Sequence, residues 1–243
     1  HGYSVPKNWL PEFINAYKEI VSREQVNPKL SVARVKDLPL VEVPATGPQS
    51  DIMCVLISGD GGWASIDQGL SKTLAQSGIP TVGINSLKYL WDRKTPQQAA
   101  IDLQRVTQNY LLKWNKDKVI YIGYSLGADI LPFMLHNLPE PLSKNTLLAA
   151  FLSPSQTVDF QFHLSYWIGG GSGKNYLNVL PAIQSLKNIP LLCLYGDDET
   201  DSICKDINMP NAHVVAMSGG HHFDGNYQGL ADEVLKYMKK SEE

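Results

Sequence analysis

Runs of consecutive apolar residues recur along the chain, separated by stretches in which apolar residues fall three and four apart. Ile52 to Ser58, Thr81 to Asn85, Lys118 to Ile122, Thr146 to Leu152, Pro190 to Tyr195 and His213 to Met217 read as strands, with a shorter one at Leu38 to Val43. Ile66 to Gln76, Pro96 to Trp114, Leu126 to His136 and Tyr227 to Met238 read as helices. Strands without a polar face, alternating with helices, predict an α/β fold: a mostly parallel sheet covered by helices on both faces. The helix from Pro96 is signalled best. Thr95 is its N-cap, Pro96 its first residue, and Gln98 completes a Thr-x-x-Gln capping box. Ala99, Leu103, Val106, Tyr110 and Trp114 then make the stripe that faces the sheet.

Two segments stand apart from this alternation. Lys7 to Gln25 carries Leu10, Ile14, Tyr17 and Val21 at helical spacing, so residues 1–37 are expected to be an N-terminal helical extension and residues 38–243 one α/β domain. Gln156 to Asn178 holds Trp167, the glycines at 169, 170, 171 and 173, and no clean period. It reads as an excursion or lid over the functional face.

Composition narrows the function. The chain of 243 residues is 43% hydrophobic and 19% charged, with a net charge of −3 and no long basic run, so nucleic acid is not an expected partner. No apolar stretch reaches the roughly 18 to 20 residues of a spanning helix. The first residue is His1 rather than Met, which points to a removed leader, upstream domain or tag. Cys54 and Cys193 fall in apolar strands and are expected to be buried and unbonded, whereas Cys204 follows an acidic loop and is expected to be accessible. Neither a CxxC pair nor a His-x-x-x-His spacing occurs, so neither a metal nor a cofactor is expected.

The candidate chemistry centres on Ser125. The strand Lys118 to Ile122 runs into Gly123-Tyr124-Ser125-Leu126-Gly127, and a helix follows. A Gly-x-Ser-x-Gly match is weak alone, but between a strand and a helix it describes a sharp turn that lifts the serine Oγ above the sheet. A hydroxyl needs a base to take its proton, and the base needs an acid to hold its tautomer. Both follow in chain order. Gly196-Asp197-Asp198-Glu199-Thr200-Asp201 ends one strand, and Ser218-Gly219-Gly220-His221-His222 ends the next. His222 is favoured over His221 as base because Phe223 follows it. Glu199, three residues after Gly196, and Asp198 are ranked nearly equal as the acid, ahead of Asp201. The remaining requirement is a pair of donors for the oxyanion, assigned to the N–H of Leu126 and that of Asp60 or Gly61 in the turn Ser58-Gly-Asp-Gly-Gly-Trp63. These parts make an α/β-hydrolase with a Ser-His-acid esterase site.

The three motifs Ser58–Trp63, Gly123–Asp129 with Leu131-Pro-Phe133, and Gly219-Gly-His-His-Phe-Asp-Gly225 together resemble the bacterial virulence protein family of VirJ and AcvB, over about residues 38–240. The resemblance implies a periplasmic α/β-hydrolase with Ser125 as nucleophile and the base drawn from His221 and His222. It implies an aminoacyl-phospholipid substrate at the membrane surface, lysyl- or alanyl-phosphatidylglycerol, and secretion-system proteins as partners. A lysyl ammonium would then meet Asp60 and the aromatic face of Trp63, with Asp92, Asp129 and Asp224 as further acidic candidates; the alternative for Asp60, which is favoured, is that it braces its own loop through backbone N–H bonds. Two other readings are an adaptor that uses the hydrolase fold for binding, and a carboxylesterase acting on another ester.

Overall fold

A computed structural model describes residues 35–161, 176–200 and 202–241. The expected helix over residues 7–25, most of the excursion with Trp167 and its glycines, and Asp201 lie outside the described residues. Those described fall in one unit that begins at Val35.

Strands β1 (Leu40–Val43), β2 (Ile52–Ile57), β3 (Thr81–Ile84), β4 (Lys118–Tyr124), β5 (Thr146–Leu152), β8 (Leu191–Gly196) and β9 (Ala212–Met217) form a seven-stranded sheet. Its order is β1-β3-β2-β4-β5-β8-β9, and every pairing is parallel except that of β1 with β3. A small antiparallel pair, β6 (Thr157–Val158) and β7 (Leu177–Asn178), lies apart from it. The long helices are α1 (Ser65–Gln76), α3 (Pro96–Trp114), α4 (Leu126–His136) and α7 (Tyr227–Ser241). Three short ones, α2 (Ser86–Tyr89), α5 (Glu140–Lys144) and α6 (Val179–Gln184), are too brief for periodicity to have revealed them.

The two-residue period of each strand divides the core. Met53, Val55 and Ile57 of β2 point to one face, where they cluster with Leu103 and Val106 of α3 and with Ile130 and Leu131 of α4. Cys54 and Leu56 point to the other, where Leu70 and Leu74 of α1 meet Leu230 and Val234 of α7. Each fully buried aliphatic side chain here contributes about 1.5–3 kcal/mol, so an unbroken apolar run is what a strand covered on both sides requires. At the start of α3, Thr95 Oγ1 accepts the Gln98 N–H at 3.1 Å as expected. The reciprocal half of the box is absent. The Gln98 side chain donates to Asp102 Oδ1 instead, at 3.2 Å, where that buried carboxylate also receives Tyr89 and Arg105.

The cysteines depart from expectation. Cys193 and Cys204 are joined in a disulfide, with Cα atoms 5.6 Å apart, and Cys54 is the free, buried thiol. The chain after the acidic loop turns back onto β8 as a 3-10 turn (Ile203–Asp206), which buries Cys204 completely rather than leaving it accessible. Eleven residues of separation are enough to let the loop leave β8 and return to it.

Candidate active site

The C-terminal ends of β2, β4, β5, β8 and β9 lie side by side, so the loops that follow them meet at one edge of the sheet. Ser125 stands at the tip of the turn from β4 to α4 with φ 51° and ψ −119°, a conformation costly for a residue with a side chain. Its neighbours are glycines for a steric reason. A Cβ on Gly123 would come within 2.4 Å of the Gly127 carbonyl oxygen, and one on Gly127 within 2.1 Å of that of Ile57. With only hydrogens there, α4 closes against β2 and β4, and Ser125 Oγ is lifted out of the sheet.

Two loops bring the other groups. Asp197 N–H donates to the Met217 carbonyl and Asp198 N–H to that of Gly219, while the Asp197 carboxylate accepts the Gly219 N–H at 2.8 Å. These bonds lock the acidic loop to the histidine turn. His221 Nε2 then lies 2.9 Å from Ser125 Oγ, and its Nδ1 lies 2.7 Å from Glu199 Oε1. The second oxygen of Glu199 accepts the Gly196 N–H at 2.9 Å and the Ser153 hydroxyl at 2.8 Å. Serine, histidine and glutamate are thus aligned in bonding order.

This arrangement corrects the preference for His222. The Phe223 side chain is completely buried in the core between α1 and α7, so it anchors the turn rather than marking the base. His221 is directed at Ser125, and the exposed His222 places Nδ1 2.7 Å from the Tyr124 hydroxyl. Between the two acids ranked nearly equal, Glu199 meets the histidine, and Asp198 faces solvent. Glu199 lies on a turn in which its own N–H returns to the Gly196 carbonyl at 2.9 Å. Sequence reading missed Ser153, Asp197 and Tyr124. Ser153 carried a faint signal as the first polar residue after the apolar run of β5.

The turn Gly59–Gly62 closes the other side. Its Gly62 N–H bonds to the Gly59 carbonyl, whereas among the described residues no acceptor takes the N–H of Asp60 or Gly61. Leu126 opens α4, and a first-turn N–H has no intrahelical acceptor. These are the donors available to an oxyanion beside Ser125. The Ser86 hydroxyl braces the turn by donating to the Gly59 carbonyl.

Between this turn and the histidines lies a cleft of about 200 Å³, lined by Asp60, Asp67, Tyr124, His221, His222 and Tyr227, with Gly59 to Gly62 and the start of α1. Neither lysine nor arginine lines it among the described residues. Asp60 is exposed at its mouth. Asp67 Oδ2 accepts the Ala64 N–H at 3.0 Å, while buried Oδ1 has no partner among the described residues, and burial pushes this carboxyl up to about 7. Trp63 is not in the cleft, contrary to expectation. Gly83 of β3 has no side chain, and the Trp63 ring occupies the space a Cβ would need there. Asp129 is buried within α4 and accepts the Ser155 N–H at 2.6 Å; burial raises it to about 7. Asp224 packs against Gly219, behind the histidine turn, and Asp92 is exposed outside the cleft lining.

Residues 51–242 match the family described as "Bacterial virulence protein (VirJ)". No curated protein matches the sequence. Among solved structures, MenH from S. aureus is similar with a TM-score of 0.61 and 14% identity, over 84% of this chain and 99% of that one. Est1E from Butyrivibrio proteoclasticus gives 0.60 and 16%, over 85% and 96%. An alpha-beta serine hydrolase homologue from Coxiella burnetii gives 0.57 and 18%, over 82% and 90%. The fold is that of the α/β-hydrolases.

Proposed function

The chain belongs to the VirJ family of bacterial virulence proteins, and from that premise we propose that it is a serine esterase that hydrolyses the aminoacyl ester of lysyl- or alanyl-phosphatidylglycerol at a membrane surface. The observation that carries the reading is the unbroken line Ser125 Oγ, His221, Glu199, at 2.9 and 2.7 Å. His221 Nε2 takes the Ser125 proton as Oγ attacks the ester carbonyl. The tetrahedral oxyanion turns to the N–H of Leu126 and of Asp60 or Gly61, donors typically worth about 3 kcal/mol each. His221, now an imidazolium held by the Glu199 carboxylate, returns the proton to the leaving glycerol oxygen and the C–O bond breaks. Water then repeats the sequence on the acyl-serine, releasing the amino acid and restoring Ser125.

The substrate class draws support from the cleft, where acidic and tyrosine side chains without a lysine or arginine suit an acyl group that carries an ammonium. A periplasmic location draws support from the Cys193–Cys204 disulfide, since such bonds persist in oxidising compartments. Fluorophosphonate labelling tests the enzyme. Wild type should be labelled and Ser125→Ala not, with turnover lowered about a millionfold. Incubation with lysyl-phosphatidylglycerol should then release lysine and phosphatidylglycerol. A labelled protein that leaves both aminoacyl lipids intact but cleaves simpler esters would be a carboxylesterase, and a protein that is never labelled would point to an adaptor.

A further inference from the structure

We propose that Tyr124 and His222 form a positioning clamp that holds the His221 imidazole in line between Ser125 and Glu199; this rests on the esterase reading above. His221 sits on a turn that contains Gly219 and Gly220, and its side chain is 40% exposed, so packing alone does not fix it. The bonds from the backbone of this turn to the acidic loop end at Gly219, and beyond it the His221 ring meets that loop at Glu199. Among the described residues, the hydrogen bond that reaches the His221 backbone comes from the Tyr124 hydroxyl, which donates to its carbonyl oxygen at 3.2 Å. The same hydroxyl oxygen lies 2.7 Å from His222 Nδ1. A phenol has one proton and can accept as well. Both contacts are satisfied together when Tyr124 donates to the His221 carbonyl and His222 donates its Nδ1–H to Tyr124.

Tyr124 is suited to this task by its place in the chain. It is the last residue of β4, 6% exposed, in the centre of the sheet, and immediately precedes Ser125. The strut ends a central strand and the nucleophile follows it as the next residue, at the tip of the turn, so their spacing to His221 is set together. Burial holds the Tyr124 hydroxyl well above the usual phenol range, which keeps it a neutral donor. Its ring lies 5.6 Å from that of His221, and the His221 and His222 rings meet edge to face at 5.6 Å. The adjacent histidines divide the work: one holds the proton of the reaction and the other fixes the strut. His222 thereby acts through Tyr124 and touches neither Ser125 nor Glu199.

Turnover of p-nitrophenyl acetate tests this in wild type, Ser125→Ala and the clamp variants. A wild type no faster than Ser125→Ala would sink the esterase reading and this clamp with it. Given an active wild type, Tyr124→Phe should lower kcat by about 10- to 100-fold, the scale of a small misplacement of a catalytic group, with KM within about twofold. His222→Ala should show the same split. His222→Asn, whose amide reaches the Nδ1 position, should regain most of the loss, whereas His222→Gln, which reaches the Nε2 position, should not. The double variant Tyr124→Phe/His222→Ala should be no worse than Tyr124→Phe alone, because both remove one unit. The clamp is overturned by Tyr124→Phe retaining kcat within twofold, by His222→Asn as slow as His222→Ala, by a loss confined to KM, or by multiplicative losses in the double variant. Should Tyr124→Phe fail to fold, the exposed His222 series decides alone.

Discussion

The Ser153 hydroxyl lies 2.8 Å from Glu199 Oε2, while Oε1 of the same carboxylate faces His221 Nδ1 at 2.7 Å. With the Gly196 N–H also on Oε2, one oxygen is held from the ends of β5 and β8, by Ser153 just past the one and Gly196 closing the other, and the other oxygen is presented to the base. An amide at this position could not serve both sides. Its NH₂ would oppose either the donors on Oε2 or the Nδ1–H. Glu199→Gln is therefore expected to lower kcat about ten-thousandfold, the scale seen when the orienting acid of a serine protease triad is neutralised. Asp198→Asn, in solvent, should change kcat less than twofold. Comparable mild losses in both variants, measured on one ester, would remove Glu199 from the role of acid.

Sequence pattern exposed the sheet because a strand buried on both faces cannot hide its apolar run, as Ile52–Ile57 and Thr146–Leu152 show. The Ser125 turn was legible too, since close approach at Gly123 and Gly127 leaves no choice of residue. The choice between His221 and His222 was not. Adjacent residues point apart, and which one faces Ser125 depends on local backbone: Gly219 has φ 94°, Phe223 52° and Asp224 49°. Asp224 is a type that tolerates a left-handed conformation, but nothing in the residue type at 223 announces one. The disulfide was hidden for a related reason, because only the return of the chain onto β8 places Cys204 beside Cys193.

That disulfide encloses the stretch from Cys193 to Cys204, and Glu199 lies inside it. Alkylation of the unreduced protein in denaturant should mark one thiol, that of Cys54; three marked thiols would contradict the pairing. Replacing Cys193 and Cys204 together by Ala should cost about 2–4 kcal/mol in urea denaturation. It should also lower kcat more than it raises KM, since the loosened loop carries the acid. Full kcat in a destabilised protein would show that the bonds of Asp197 and Glu199 hold the loop without the sulfurs.

The acidic cleft makes a claim about substrate charge. Asp60 is exposed at its mouth, so its attraction for an ammonium is screened, and exposed ion pairs contribute about 0.2–1 kcal/mol. Asp60→Asn should accordingly slow lysyl ester cleavage by about two- to fivefold relative to alanyl ester, read as the ratio of kcat/KM values. An equal loss on both esters would assign Asp60 to the oxyanion turn alone, and unchanged values would take its carboxylate out of the reaction.

Asp129 sets a pH dependence of stability whose sign follows from its burial. The folded protein holds this carboxyl at about 7, whereas the ordinary value is 3.8. Between those values the unfolded chain has released a proton that the folded protein retains, so stability falls as pH rises. The contribution is complete below about pH 4 and is lost as pH passes through 7. Asp67, held at about 7 by the same cause, adds to the slope. Asp129→Asn can still accept the Ser155 N–H through its amide oxygen, yet it has no proton to lose. Urea midpoints should fall from pH 5 to pH 8 in wild type and fall less steeply in Asp129→Asn, leaving the variant the more resistant of the two at pH 8. Parallel curves would mean that Asp129 is ionised in the folded protein across that range.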